Sequence, residues 1–521
     1  MPAAPTTQDI SAGAEDGHPR RQLILAIMCL CLVLIVAAVS SLNVALPTIV
    51  RELDPSSTEQ LWILDAYALV FAGLLLLCGA LGDRFGRKKA LLVGLSIFAV
   101  ASTVAAYAND PKQLIAFRAV MGIGAALIMP ATLSTITVVF APKDRAKAIA
   151  VWAGLAGAGG AIGPLLSGLL LERFWWGSVF FIVAPIAVVA MVAIAAVVPE
   201  SADSERHPLD FVGAVLSVLA LCGVVFGIIE GPAIGWSDPV TIGAFAVGIL
   251  TGIGFVRWEL RAPHPLLDPR LFRIPRFGLG SLSVTASFLS MFGMFFLFTL
   301  YLQFVLGYSP LGSAVRLLPF SAIMIAIAPR SPQLTARFGT RAVVATGFAV
   351  QSVGFGMAMG LDVDTSYLYL LATVAPMAAG MALLMPPITN AIVTSLPQDK
   401  AGVASAVNDT TREVGGAVGI ALMGTLLTTG YQSALGGATG ALPAAQAELA
   451  QDSVGGAMVV ASQLQGPAAT ELIIAARQAF VDGSTIAFGA AGALGVIMAV
   501  LIARRYPDDV VENQLLEAVP A

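Results

Sequence analysis

The sequence predicts an all-α integral membrane protein of fourteen transmembrane helices, built as two six-helix halves with two additional helices between them. Three observations predict it. Of 521 residues, 57% are hydrophobic and only 12% charged, with a mean hydropathy of +0.86, whereas a soluble domain carries roughly 25% charged residues. Apolar runs long enough for a bilayer, about 20 residues each, recur fourteen times along the chain. Lysine and arginine then gather on one side of the topology those runs define.

In order, the runs lie at 23–47, 60–81, 90–108, 114–140, 147–171, 176–198, 211–230, 239–257, 277–303, 313–329, 342–361, 366–394, 401–428 and 485–503. The first follows Arg20 and Arg21 and is longer than the roughly 7–15 residues of a signal-peptide core, so it reads as a retained span. With the N-terminus inside, twenty-one of the 28 basic residues fall in inside loops and tails, among them Arg84, Arg87, Lys88, Lys89, Arg337, Arg341, Lys400, Arg504 and Arg505. Outside loops hold only Arg51, Lys112, Arg173, Arg316 and Arg477, while Arg118 and Arg412 fall within spans. Short cytoplasmic loops carry such an excess, and shifting the count by one helix destroys it. Both termini are therefore expected in the cytoplasm, with the chain in the cell membrane. The expected divisions are a tail at 1–22, a first half at 23–200, the additional helices at 209–260, a second half at 276–505 and a tail at 506–521. Within the second half, an outside connection at 430–482, rich in Ala, Gly and Gln, reads as a loop or a partly ordered hairpin.

Several functions are excluded. A net charge of −4 without a basic domain argues against nucleic acid. Cys29, Cys31, Cys78 and Cys222 all sit in apolar runs, away from His18, His207 and His264, so neither a disulfide framework nor a metal site is expected. None of the six lysines precedes Ser or Thr, which removes a Walker-type ATP site and leaves an ion gradient as the energy source. Without a nucleophile elbow, a paired-histidine motif or a soluble catalytic domain, the chain is not expected to be an enzyme, and no cofactor is expected.

Between spans two and three runs Gly79-Ala80-Leu81-Gly82-Asp83-Arg84-Phe85-Gly86-Arg87-Lys88-Lys89. Its glycines permit a tight turn at the membrane face, and Asp83 can pair with a neighbouring arginine or a helix N-terminus. A worn copy, Gln333 to Arg341, follows the tenth span with Ala336 in place of the acid. Aligning the two copies sets them at the same point of two six-helix halves. Span four carries Arg118 within Leu114 to Gly124; it either faces a polar cavity or an acid, or snorkels to the interface. Span five carries Gly159-Gly160-Ala161-Ile162-Gly163-Pro164-Leu165-Leu166-Ser167-Gly168, whose small residues allow close helix contact and whose proline bends the helix.

These motifs resemble the signature loop, the arginine motif and the antiporter motif of the major facilitator superfamily. Asn43 to Pro47, Gln60 to Tyr67, Tyr301 to Gln303 and Arg412 to Gly416 are similar to segments of its fourteen-helix drug:proton antiporters, the EmrB/QacA type. The resemblance implies a major facilitator fold that exports lipophilic drug-like molecules in exchange for protons by alternating access. It also implies that Gly79, Asp83, Arg84, Gly86, Arg87, Gly159, Gly163, Pro164 and Gly168 govern the conformational change. We expect such a carrier to function as a monomer in the bilayer.

Ionisable groups inside spans are costly and therefore functional candidates. Asp65 sits in span two beside Trp62 and Tyr67, suited to a proton or cation or to a structural hydrogen bond. Asp409 and Glu413 are four apart on span thirteen, so on one helical face, where they either handle protons or have one acid neutralised by the adjacent Arg412. Glu230 and Asp482, at span ends, read as solvated caps. Ala38 and Met324 stand where relatives of this type carry further aspartates, which favours monocationic or neutral substrates over dications. Phe288, Met291, Phe295 and Met324, with Trp62, Tyr67 and Arg412, are candidates to line an adaptable pocket. A dedicated exporter of one natural product, lipid or metabolite, and a non-transporting receptor-like protein, are the alternatives.

Overall fold

The computed structural model describes residues 18–202, 210–263, 265–396, 401–440, 442–464 and 466–507. Most of both expected tails, the junction at 203–209 with Arg206 and His207, and the positions of His264 and Lys400 lie outside the described residues.

Every expected span is helical: α1 (Arg21–Leu53), α2 (Ser57–Phe85), α3 (Arg87–Ala105), α4 (Pro111–Val139), α5 (Pro142–Leu171), α6 (Ser178–Val197), α7 (Phe211–Ile234), α8 (Pro239–Glu259), α9 (Pro275–Val305), α10 (Pro310–Phe338), α11 (Thr340–Ala358), α12 (Tyr367–Thr394) and α13 (Ala401–Leu435). Two short helices, α14 (Ala444–Asp452) and α15 (Val454–Gln463), precede the last long one, α16 (Pro467–Arg505). Among the described residues twelve helices are long and apolar enough to cross a membrane by length and composition. The helices α5 and α11, at the expected fifth and eleventh spans, are not among those twelve.

Local chemistry sets the starts. Ser56 and Glu59 form a reciprocal capping box at α2. Asp110, Asp238 and Ser309 cap α4, α8 and α10, each followed by a proline that has no N–H to leave unpaired. The segment 430–482 is mostly helical, since α13 runs on to Leu435 and α16 begins at Pro467.

The internal repeat is visible in side-chain detail. Gly86 and Gly339 both adopt positive φ (116° and 81°), the left-handed region where a Cβ is strained, and each ends one helix and starts the next. The preceding Arg84 and Arg337 lie over Phe85 and Phe338 at 5.4 and 5.2 Å. Beyond the glycine, Lys88 Nζ donates to Ala195 O on α6 (2.8 Å), and Arg341 Nε donates to Ala503 O on α16 (2.6 Å). The acid is where the copies part: Asp83 pairs with Arg87 at 2.7 Å, whereas Ala336 and Thr340 offer no such pair. A Cβ on Gly86 would overlap the Glu200 carboxylate, and Arg87 N–H bonds to Ser201 O at 2.9 Å.

The helix α7 lies between α2 and α13, and α8 packs on α7. Ser217 and Val218 of α7 meet Gly73 of α2, and Thr425 of α13 donates to Ile228 O of α7 at 2.8 Å.

Candidate functional site

Arg118 does not reach an interface. It is 1% exposed, with Nε 3.0 Å from Ile63 O and Nη2 3.4 Å from Leu64 O, and its guanidinium stands 4.6 Å from the Tyr67 ring centroid. Two helix carbonyls and an aromatic face replace the water it gives up. Gly122, one turn on, lets α4 approach this closely: a Cβ there would stand 2.7 Å from Tyr67 O.

Asp65 is fully buried, and neither carboxylate oxygen has a hydrogen-bond partner. Tyr67 Oη and Arg118 Nη1 are likewise unpartnered, and the charge of Arg118 acts on Asp65. The helix period gives Asp65 its direction. Leu61 abuts Gly424 of α13, whereas Trp62 Nε1 donates to Glu230 Oε1 at 2.8 Å and its ring meets Phe226 of α7. At 3.6 residues per turn, Asp65 falls between those two directions, roughly 40° from that of Leu61. It therefore faces the junction of α2, α7 and α13.

On α13, Arg412 Nη1 is 3.6 Å from Asp409 Oδ1, and its guanidinium lies 4.7 Å from the Phe288 ring centroid. Glu413 feels the charges of Arg412 and Asp409 and acts electrostatically on Tyr67 across the seam. The two acidic groups named from the sequence thus belong to one region of alternating charge.

The candidate pocket residues divide. Phe288, with Phe292 at 6.0 Å, joins Arg412 and Asp409. Phe295 turns to Phe320 of α10 at 5.1 Å, while Met291 and Met324 are partly buried against the core. Trp62 bonds Glu230 and packs on Phe226 of α7, and Tyr67 lies under the Arg118 guanidinium. Glu230 is a correction: it is the acceptor for Trp62 rather than a solvated cap. Asp482 stays exposed, accepting only from Gln478 at 3.1 Å.

The ridge on α5 serves two contacts. A Cβ on Gly159 would meet Val36 of α1 at 3.0 Å, and one on Gly163 would meet Ala37 O at 2.5 Å. Gly168 faces the other way, where a Cβ would stand 2.6 Å from Leu311 Cα of α10, in the opposite half. Gly79 packs on Pro130 of α4. The halves are joined at one end, by Ser309 to Glu172 (3.3 Å), Gln303 to Val44 O (3.0 Å) and Ser57 to Asp452.

The Major Facilitator Superfamily profile matches residues 28–420. The chain belongs to the major facilitator superfamily. Within the superfamily it is 37% identical, over 89% of its length and 92% of the relative's, to the multidrug efflux pump LfrA of Mycolicibacterium smegmatis. It is 34% identical to the methyl viologen resistance protein SmvA of Salmonella typhimurium, covering 92% of this chain and 97% of that one. It is 33% identical to the tetracenomycin C resistance and export protein of Streptomyces glaucescens, covering 88% and 86%. Among solved structures, a bacterial homolog of the human lysosomal transporter Spinster, inward-facing and unoccupied, shares the superfamily fold with a TM-score of 0.63 at 17% identity, over 94% of this chain and 99% of that one. A D-xylose–proton symporter gives 0.61 at 12% identity, over 93% and 98%.

Proposed function

We propose that this superfamily member is a secondary active multidrug exporter that exchanges lipophilic, monocationic or neutral compounds for protons by alternating access. The observation that carries the proton step is Asp65, a fully buried carboxyl with two unpartnered oxygens on which the charge of Arg118 acts. An ionised carboxylate left so in a dry interior is costly, so Asp65 takes a partner: a proton when the carrier returns empty, the substrate's charge or water when it is loaded. Asp409 and Glu413 form the second coupling pair, with Arg412 and Phe288 on the substrate's path. The relatives' names, which speak of multidrug efflux, resistance and export, support the direction of transport.

The carrier spans the membrane fourteen times with both termini in the cytoplasm, as the placement of lysine and arginine supports. The end joined by Ser57 and Glu172 then faces outside. The domain divisions follow, with α7 and α8 as the added pair and α14 and α15 as an extracellular hairpin. No ATP site or cofactor enters this cycle, and one copy suffices for it. A substrate screen in inside-out vesicles, with Asp65, Asp409 and Glu413 neutralised one at a time, tests the assignment. Loss of proton-coupled transport in Asp65→Asn is the expected result; full activity in that variant moves the coupling to α13.

A further inference from the structure

Two arginines lie within spans, and the fold holds them in opposite ways. Arg118 is 1% exposed and its fork bonds two carbonyls of α2. The Arg412 side chain is 34% exposed, and among the described residues no carbonyl accepts from it. What holds it is a long ion pair, Nη1 to Asp409 Oδ1 at 3.6 Å, and the Phe288 ring, whose centroid lies 4.7 Å from the guanidinium.

A charged side chain within a span faces the bundle interior or a water-filled cavity rather than lipid. The helix period agrees. Arg412 falls on the side of α13 that packs on α9, where Gly416 and Gly419 abut Phe292 and Leu289. Glu413, about 100° further round, falls on the side of Gly424, which abuts Leu61 of α2. Asp409 lies between these two directions. The arginine and the two acids therefore line the seam between α9 of one half and α2 of the other.

The place that Arg412 fills has the chemistry of a seat for an organic cation. An aromatic face beside a carboxylate binds ammonium and delocalised cations once water is excluded. Phe288 and Asp409 supply that pair, Phe292 adds a second ring 6.0 Å from the first, and Glu413 adds a second acid that feels the same charges. Arg412 has a flexible stem and no short hydrogen bond, so it can leave this seat at little cost. Arg118, tied to its two carbonyls, cannot.

We propose that Arg412 is a tethered stand-in for the substrate's cation: it occupies the place over Phe288 and beside Asp409 in the empty carrier, and a lipophilic monocation displaces it. This rests on the exporter reading, which puts Phe288 and Arg412 on the substrate's path. It also makes Arg412 a specificity-determining residue. With both acids ionised, Asp409, Glu413 and Arg412 carry two negative charges and one positive, leaving a single negative charge that one monocation neutralises. Without Arg412 the same seat carries two negative charges and suits a dication.

The test titrates the purified full chain in nanodiscs, with no gradient present, using tetraphenylphosphonium as the monocation and diquat as a compact dication. Arg412→Gln should bind tetraphenylphosphonium several-fold more tightly than the parent, and diquat more tightly by roughly tenfold or more. Arg412→Lys, which keeps the charge, should stay near the parent. When Asp409→Asn and Glu413→Gln are already present, replacing Arg412 should bring no gain. A second readout needs no variant: phenylglyoxal, which modifies accessible guanidinium groups, should label Arg412 faster when tetraphenylphosphonium is saturating, as counted by peptide mass spectrometry. Equal or weaker cation binding in Arg412→Gln, or labelling that slows or stays constant when the cation is added, overturns the proposal. Neither readout depends on transport, so a protein that passes both yet moves no tetraphenylphosphonium against a gradient fails the exporter reading alone.

Discussion

A carboxyl with both oxygens buried and unpartnered is the kind of group that proteins keep only for use. Asp65→Asn should therefore abolish export driven by a pH gradient while surface expression is unchanged, measured as dye efflux against quantified membrane protein. Arg118 makes a different prediction. Its fork spans two carbonyls on α2, which a single ammonium cannot reproduce. Arg118→Lys should slow transport by about tenfold or more, in keeping with the ~1.5–3 kcal/mol of a charged hydrogen bond, and wild-type rates in that variant would reduce Arg118 to a space filler. Both residues were legible in the sequence because a charge in an apolar run is conspicuous. Their partners were not: the carbonyls of Ile63 and Leu64 carry no residue-type signal, and only the tertiary approach of α4 at Gly122 selects them. Asp452 was illegible for the opposite reason, since an acid in a polar stretch looks like any solvated one.

At the scale of elements, the glycines of α5 separate packing from motion. A methyl at Gly163 meets Ala37 O within α1, so Gly163→Ala should cost about 1–3 kcal/mol of stability, seen as a lower Tm in detergent. A methyl at Gly168 meets Leu311 of the other half. That variant should instead shift the population toward separation of the halves at this end, read by label accessibility with little change in Tm. Gly160, with nothing within 4 Å, is the neutral control. The helix period separates the two roles: Gly168 lies about 100° round the helix from Ser167 and about 140° from Gly163, so it meets a different neighbour. The loop from Gly79 to Lys89 was readable for its glycines and charges. Its contacts with Glu200 and Ser201 were not, since they join segments more than one hundred residues apart. Likewise Glu230 became a partner of Trp62 only once α7 packed on α2.

For the whole molecule, the two halves were legible because hydropathy and the repeated loop are local signals that recur, and the repeat returns in the paired contacts of Lys88 with Ala195 and Arg341 with Ala503. The placement of α7 was not, because its apolar surface fits lipid and protein alike; the side chains by which it meets α2 and α13 decide it, and α8 packs on α7. At this scale the proposed cycle is one coupling: outward movement of a lipophilic compound against inward movement of protons. Reconstituted in liposomes that carry a pH-sensitive dye, the protein should move protons only when a transported lipophilic cation is added, and an imposed pH gradient should drive that cation uphill. Both effects should vanish in Asp65→Asn. Uphill accumulation that survives collapse of the proton gradient by an uncoupler would contradict the account.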